Sequence, residues 1–161
     1  MLRVSQASFD QNLPDSVIGV GVDIIRTARF EDIAQRAPEG AAARLFTSGE
    51  LSDRRANNRE YLASRFAAKE AVMKSLGSGM GDISFTDIEV YHTDGGAPAV
   101  RLSGAAYRRA TEIGASRVLV SVSHDRDYVC AFAVALGRVG GVGDGMGVGA
   151  GGGDDDDACD S

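Results

Sequence analysis

The chain has 161 residues, of which 43% are hydrophobic, so it is long and apolar enough for one domain with a buried core. Its formal net charge is −6, but residues 137–161 hold six aspartates and one arginine, so the rest of the chain is nearly charge-balanced. No apolar run is long enough to cross a membrane, and the two cysteines lack the spacing of a disulfide framework or a zinc site. We predict a reduced, cytoplasmic protein with neither a nucleic acid nor a membrane as partner.

Composition divides the chain into three segments. Residues 1–16 lack the apolar stretch of a signal peptide, and we interpret them as a flexible leader. Residues 137–161 are rich in glycine and contain four consecutive aspartates, so they cannot bury enough apolar surface to offset the entropy of ordering, and we predict that they are disordered. The folded domain is therefore assigned to residues 17–136.

The first predicted strand covers residues 17–23 and alternates strictly between two faces. The branched residues share one face, which we assign to the core: Ile18, Val20 and Val22. The opposite face is almost bare, with Gly19 and Gly21 followed by the carboxylate of Asp23. Glycines inside a strand indicate either tight packing in the sheet or the close approach of another group, and both interpretations stay open.

A short helix is predicted from Thr27 as its cap to Arg36, because Pro38 prevents its continuation. Helical spacing gathers four of its residues into a basic strip: Arg26, Arg29, Ile33 and Arg36. The strip is either a solvated helix face or a docking surface for an acidic partner helix, with Ile33 as an apolar anchor. Further along, Thr47 and Glu50 have the spacing of a capping box and predict another short helix.

The longest predicted helix begins after Asn58 and ends before Gly77. Its apolar stripe consists of Leu62, Phe66, Met73 and Leu76. Lys69 falls within this stripe, so its ammonium must reach solvent or a partner. Glu70 and Lys74 lie one turn apart at the edge of the stripe. They are interpreted either as a surface ion pair or as part of a site for a polyanion and a metal, next to a glycine-rich loop.

Period-two patterns predict strands in the second half of the chain at residues 85–92, 99–102, 117–123 and 128–136, with a helix at residues 104–113. His92 is interpreted as an ordinary strand residue. His124 closes the third of these strands beside Asp125. It is either a turn residue or a phosphate ligand and proton carrier at a cleft.

Four blocks of this sequence together resemble the holo-acyl-carrier-protein synthases, which are small phosphopantetheinyl transferases. The blocks are residues 19–24 with Arg29 and Phe30, residues 46–50, residues 65–74 with Gly77, Ser78 and Gly79, and residues 120–124. The resemblance spans about residues 17–136. Three positions depart from the family pattern: Ala97 replaces the lysine of a Gly-Lys-Pro turn, Arg26 stands where an acidic residue is common, and Ser78 replaces a frequent threonine.

The resemblance implies an α+β fold in which a small antiparallel sheet packs against one long helix and shorter helices. It implies Mg²⁺-dependent transfer of the 4′-phosphopantetheine group from coenzyme A to a serine of an apo acyl carrier protein or carrier domain, with release of adenosine 3′,5′-bisphosphate. It also implies a homotrimer with active sites between subunits. Two alternatives stay open: a non-catalytic module that binds coenzyme A or a carrier protein, and an interaction protein that works through its acidic C-terminal segment.

The resemblance also implies roles for individual residues. Asp23 and Glu70 would hold Mg²⁺, and Glu70 would accept the serine proton directly or through a water. Lys74 would stabilise the departing bisphosphate. The phosphates of coenzyme A would be bound by Arg65, Lys74, Gly77, Ser78 and Gly79, and by His124 of a neighbouring subunit. The acidic helix of the carrier protein would dock on Arg29, Ile33 and Arg36.

Overall fold

The computed structural model describes residues 2–3, 15–36, 40–53, 55–56, 58–79 and 81–138. The predictions of a flexible leader and a disordered tail therefore fall mostly outside the described residues. Two described pieces lie in those segments: a two-residue strand at Leu2–Arg3, and the two ends of a strand pair that joins Asp15 to Arg138. Among the described residues, no helix combines the length and hydropathy that crossing a bilayer requires.

The architecture is α+β, as predicted, and the described residues form two three-stranded antiparallel sheets. In chain order the elements are β1 (Leu2–Arg3), β2 (Asp15–Arg26), α1 (Thr27–Arg36), α2 (Ala42–Leu45), α3 (Ser48–Ser52), α4 (Arg59–Ser75), a 3₁₀ turn (Phe85–Asp87), β3 (Ile88–His92), β4 (Pro98–Leu102), α5 (Gly104–Glu112), β5 (Ala115–Asp125) and β6 (Tyr128–Arg138). One sheet has the strand order β1-β4-β3 and the other β2-β6-β5.

Helix α4 is the central element and contacts β2, β5 and β6 of the larger sheet as well as β3 of the smaller one. Its ends are those predicted: the Asn58 side chain accepts a hydrogen bond from the amide of Glu60, and Gly77 follows the helix with φ of 63°. The predicted stripe is only part of its buried surface. An alanine face is also completely buried because the sheet approaches it closely: Ala63, Ala67, Ala68 and Ala71.

The two faces of the larger sheet differ sharply in residue size. Gly19 and Gly21 of β2, with Ala131, Ala133 and Ala135 of β6, form the face that packs on α4. A Cβ on Gly19 would lie 2.1 Å from the carbonyl oxygen of Ser75. The interpretation of these glycines as a close approach is therefore confirmed, and the approaching group is the backbone of α4.

The assignment of the branched face of β2 to the core is wrong for a single chain. Val20 is 58% exposed, Val22 55% and Ile24 65%, and Ile18 is exposed as well. Leu119 of β5 and Phe132 of β6 lie on the same side of the sheet and are also exposed. The reason is that only the small-residue face lets a helix backbone approach, so the large apolar side chains must point the other way.

A buried ion pair fixes α4 to the loop and helix that precede it. Lys69 is fully buried, and its Nζ lies 2.7 Å from Oε2 of Glu50 and donates to the carbonyl oxygens of Leu45 (2.8 Å) and Phe85 (2.9 Å). Glu50 in turn accepts from the amides of Thr47 and Val90, completing the predicted capping box of α3. Every charge in the cluster thus has a partner, which is the condition for burying it.

Candidate active site

The contact between β2 and α4 brings Asp23 and Lys74 together. Lys74 Nζ donates to Oδ1 of Asp23 and to the backbone carbonyl oxygen of Val22, both at 2.9 Å. The Asp23 carboxylate is mostly covered, whereas the Lys74 side chain is 48% exposed. Asp23 is the first charged residue after the bare part of β2, so its carboxylate emerges where the glycines no longer hold α4 against the strand.

Glu70 lies one turn before Lys74 on α4 and completes an acidic pair with Asp23. Its side chain is partly buried, and its Oε1 is a buried oxygen without a protein hydrogen-bond partner. Burial raises the pKa of Glu70, and the negative charge of Asp23 raises it further, while Lys74 acts in the opposite direction. The position is therefore short of positive charge.

The unpartnered oxygen and the paired carboxylates fit a hard divalent cation such as Mg²⁺. This ion prefers oxygen ligands and usually keeps several waters or substrate oxygens, so two protein carboxylates suffice. Among the described residues no group of three or more His, Cys, Asp or Glu side chains is placed to hold a metal, so the rest of its ligands would have to come from substrate and water. Of the residues that the structure describes, Asp23 and Glu70 are the candidates for holding such an ion.

The glycine-rich loop follows directly on α4, so it begins one turn beyond Lys74. The amides of Gly77 and Ser78 donate to the carbonyl oxygens of Lys74 (3.0 Å) and Met73 (3.1 Å), which ends the helix. Nε of Arg109, on α5, donates to the carbonyl oxygen of Leu76 at 3.0 Å. Gly77 and Ser78 line a cavity of about 360 Å³ with this arginine. A role for this loop in binding phosphate stays a prediction.

Arg65 belongs to a second cluster near the start of α4. Its side chain is only 2% exposed, and its guanidinium carbon lies 4.4 Å from the ring centre of Tyr61. Its Nη2 lies 2.8 Å from Nδ1 of His92, and Nη2 of Arg55 lies 3.1 Å from the same nitrogen. These residues line a cavity of about 340 Å³.

His124 lies at the same cavity as Arg65 and not at the acidic pair. Its Nδ1 is 2.6 Å from Oε1 of Glu60, and both side chains are well exposed. Glu60 and Glu70 are ten residues apart on one helix, which corresponds to about 15 Å along its axis. Within one chain the structure thus brings together Asp23, Glu70 and Lys74 and places His124 elsewhere.

The predicted docking strip is only partly described. Arg29 is exposed on α1, whereas the side chains of Ile33 and Arg36 lie outside the described part of the chain. Arg26 ends β2 and donates to the hydroxyl of Tyr128 at 2.7 Å, with its guanidinium carbon 5.3 Å from the ring centre. Its charge is therefore held at the edge of the exposed sheet face.

Two members of the arginine cluster were not predicted as site residues. Arg55 is absent from the predicted site residues, and His92 was interpreted as an ordinary strand residue. The strand pattern does place His92 at the end of β3, but its partners are 37 and 27 residues away in sequence. No local spacing connects positions so far apart.

Comparisons with known proteins identify related sequences and structures. Residues 19–133 match the model of the 4′-phosphopantetheinyl transferase superfamily. The holo-[acyl-carrier-protein] synthase of Streptomyces avermitilis is 44% identical over 124 residues, which cover 76% of this chain and 99% of that protein. The enzyme of the same name from Desulforudis audaxviator is 41% identical over 123 residues, covering 75% and 94%.

Known crystal structures also superpose on this chain. The crystal structure of holo-[acyl-carrier-protein] synthase from Neisseria meningitidis superposes with a TM-score of 0.68 at 36% identity, covering 74% of this chain and 98% of that one. The Helicobacter pylori synthase in complex with coenzyme A gives a TM-score of 0.64 at 28% identity, covering 72% and 98%.

Proposed function

Since this chain belongs to the 4′-phosphopantetheinyl transferase superfamily, we propose that it transfers the 4′-phosphopantetheine group of coenzyme A to a serine of an apo acyl carrier protein, releasing adenosine 3′,5′-bisphosphate. The observation that carries the proposal is the meeting of Asp23, Glu70 and Lys74 where β2 crosses α4. Phosphoryl transfer depends on charge neutralisation and positioning, which is what these three groups can supply.

Asp23 and Glu70 are proposed to hold Mg²⁺. Support comes from the unpartnered Oε1 of Glu70 and from its raised pKa, since both indicate a position that a cation would stabilise. The bound ion would neutralise charge on the pyrophosphate oxygens of coenzyme A.

Glu70 is proposed to accept the proton of the attacking serine, directly or through a water. Oε1 of Glu70 has no protein hydrogen-bond partner, so it can accept a hydrogen bond from the serine hydroxyl or from a water. Lys74 is half-exposed, so its ammonium is accessible to the departing bisphosphate and can stabilise the negative charge that develops there.

Coenzyme A also carries negative charge away from the reacting bond, and Arg65 is proposed to anchor it. Arg65 is a buried cation that lines an open cavity, and its Nε has no protein partner. Gly77, Ser78 and Gly79 are proposed to let the phosphates approach the backbone after α4.

The carrier protein is proposed to dock its acidic helix on Arg29, Ile33 and Arg36, because Arg29 offers an exposed positive charge on α1.

We further propose that the active enzyme is a homotrimer with active sites between subunits. The exposed apolar face of the larger sheet supports it, because monomeric proteins rarely leave such a contiguous patch uncovered. His124 also supports it. Its partner Glu60 lies about 15 Å along α4 from Glu70 of the same chain, so we propose that His124 contributes to that active site from a neighbouring subunit.

The test is the intact mass of an apo acyl carrier protein after incubation with this protein, coenzyme A and Mg²⁺, with a parallel reaction in chelator. The expected result is the added mass of one phosphopantetheine group, lost when chelator removes the metal. Binding of coenzyme A with no product on several carrier proteins would instead support the non-catalytic binding module.

A further inference from the structure

We propose that Arg109 of α5 is a positioning residue for the transfer reaction. It fixes the peptide plane between Leu76 and Gly77, so that the loop after α4 has its binding shape before coenzyme A arrives. The inference rests on the proposed function and deepens it, because it names a residue that acts on the co-substrate through this loop. Helix α5 contributes none of the predicted site residues.

The peptide unit between Leu76 and Gly77 is held from both sides. Its N–H group, on Gly77, donates to the carbonyl oxygen of Lys74 at 3.0 Å, which is an ordinary bond at the end of a helix. Its carbonyl oxygen, on Leu76, accepts from Nε of Arg109 at 3.0 Å. The last carbonyl groups of a helix have no partner within the helix, and Leu76 is only 1% exposed. The donor therefore has to come from another element, and Arg109 supplies it.

The two remaining nitrogens of the guanidinium group also have neighbours. Nη2 lies beside Gly77, since a Cβ built on this glycine would be 3.5 Å from it. Nη1 lies 3.4 Å from Oε2 of Glu112, three residues further along α5. This carboxylate offsets the charge of Arg109, so the side chain is better suited to holding the loop than to binding a phosphate itself.

A fixed peptide plane matters because a glycine follows it. Gly77 has a φ of 63°, and a glycine can leave this conformation for several others at little cost. The backbone beyond it leads to the amide of Ser78, which donates to the carbonyl oxygen of Met73 at 3.1 Å, and then to Gly79, which is exposed. With the plane held, the loop does not have to be ordered when phosphates bind, so binding does not lose that free energy.

Lys74 is anchored by contacts that do not involve Arg109. Its Nζ donates to Oδ1 of Asp23 and to the carbonyl oxygen of Val22, both on β2. A loosened loop should leave this pair in place. Arg109 should therefore affect the binding of coenzyme A more than the chemical step, which means a change in KM with little change in kcat.

The experiment uses three substitutions that separate the hydrogen bond of Nε from the charge. Methionine places a methyl group at the position of Nε, glutamine places an uncharged N–H donor there, and lysine keeps the charge but has a methylene there. For Arg109→Met we expect the Kd and KM for coenzyme A with Mg²⁺ to rise about tenfold, the equivalent of one hydrogen bond, with kcat within about twofold of the wild type. Arg109→Gln should return to within about threefold of the wild-type Kd, whereas Arg109→Lys should stay near Arg109→Met.

Calorimetry measures the Kd, and the intact-mass assay measures KM and kcat. Arg108→Met is the matched control, because it removes an exposed arginine from the same helix and the same cavity, and its Kd should equal that of the wild type. If Arg109→Met does not fold, the comparison of Arg109→Gln with Arg109→Lys still decides.

Two outcomes would overturn the inference. Recovery with lysine but not with glutamine would mean that the charge of Arg109 attracts the phosphates directly. A lower apparent kcat with unchanged KM would mean that Arg109 only keeps more of the protein folded. The proposed function fails separately, because it is refuted if the wild type modifies no carrier protein, and the Kd values of the variants would still test Arg109 in that case.

Discussion

Gly21 lies so close to α4 that a Cβ built on it would come within 2.0 Å of the carbonyl oxygen of Ala71. The same atom would lie 2.9 Å from Cβ of Lys74. This contact sets how far α4 stands from β2, and Asp23 is two residues further along the strand. The geometry of the Asp23–Lys74 pair therefore depends on a position with no side chain.

Gly21→Ala is expected to destabilise the protein and reduce transfer together. The new methyl group meets backbone atoms that cannot rotate away, and overpacking of this kind costs about 1–3 kcal/mol. Urea unfolding measures the loss of stability and a transfer assay under folding conditions measures the loss of activity. Gly95→Ala is the control, because a Cβ there would meet nothing closer than Thr93 Oγ1 at 3.9 Å. Equal stability of the two variants would contradict the argument.

The alternation in β2 shows what one sequence can and cannot predict about this fold. The pattern predicts a strand with a bare face and a branched face, and both exist. It does not tell which face is covered. Large residues usually indicate a core, but here the bare face packs on a helix backbone and the branched face is exposed in the single chain. Deciding between the two faces requires knowing that α4 packs on β2, and this is a contact between elements that are far apart in the sequence.

In the candidate site, too, local features could be predicted from the sequence and long-range contacts could not. Glu70, Lys74 and the end of α4 follow from local helix spacing and caps, and the structure places them as expected. The contact of Lys74 with Asp23 joins positions 51 residues apart, and the cluster around His92 joins three separate elements. Periodicity carries no information about such contacts. The resemblance to a known family assigns Asp23, Glu70 and Lys74 to one site, but it predicts neither the contact of Asp23 with Lys74 nor the cluster around His92.

Glu70→Gln is expected to abolish transfer while leaving the protein folded. The amide is nearly the same size, but it can neither accept the serine proton nor provide a charged ligand, so we expect a loss of at least about 100-fold in kcat. The intact-mass assay measures the loss, and circular dichroism confirms the fold. Turnover near the wild-type rate would refute the role given to Glu70.

The same variant makes a prediction about stability and pH. Because the pKa of Glu70 is raised in the folded state, the folded chain binds more protons than the unfolded chain at pH values above the ordinary value of 4.5, and stability falls as pH rises through that window. At pH 7 without Mg²⁺, Glu70→Gln should therefore have a higher Tm than the wild type. The difference should shrink as the pH is lowered to about 4.5. A Tm difference that does not depend on pH would contradict the raised pKa, and Asp94→Asn serves as the exposed control.

The buried pair of Lys69 and Glu50 is expected to be among the most sensitive positions for folding. Lys69→Met leaves the Glu50 carboxylate buried without its cation and should cost about 3–5 kcal/mol in the free energy of unfolding. Adding Glu50→Gln should recover part of this loss, since its amide oxygen can still accept from the amide of Val90. Chemical denaturation measures both. Arg108→Met, at an exposed position on α5, should change stability by less than about 0.5 kcal/mol.

The exposed sheet face is expected to be the contact between subunits. Val22→Asp places a charge in the middle of this face, where association would have to bury it unpaired. We expect sedimentation to show monomers and the transfer activity to be nearly lost. Leu51→Asp is the control, because Leu51 is an exposed apolar residue on α3, away from the sheet. A trimer that survives Val22→Asp would place the interface elsewhere.

If each active site combines Glu70 of one subunit with His124 of another, two inactive variants should restore activity when their subunits exchange. Glu70→Gln and His124→Ala are each expected to be inactive alone. In a mixed ring, a site that takes its Glu70 from the His124→Ala chain and its His124 from the Glu70→Gln chain contains only wild-type residues.

For a closed ring with random mixing, about a quarter of the sites would have this composition. We expect transfer to rise toward that fraction of the wild-type rate after the variants are dissociated and reassembled together. A site built from a single subunit could not give this recovery, because every chain carries one of the two inactivating substitutions. Activity that stays at the level of the separate variants, with mixed trimers verified by mass, would place His124 outside the shared site.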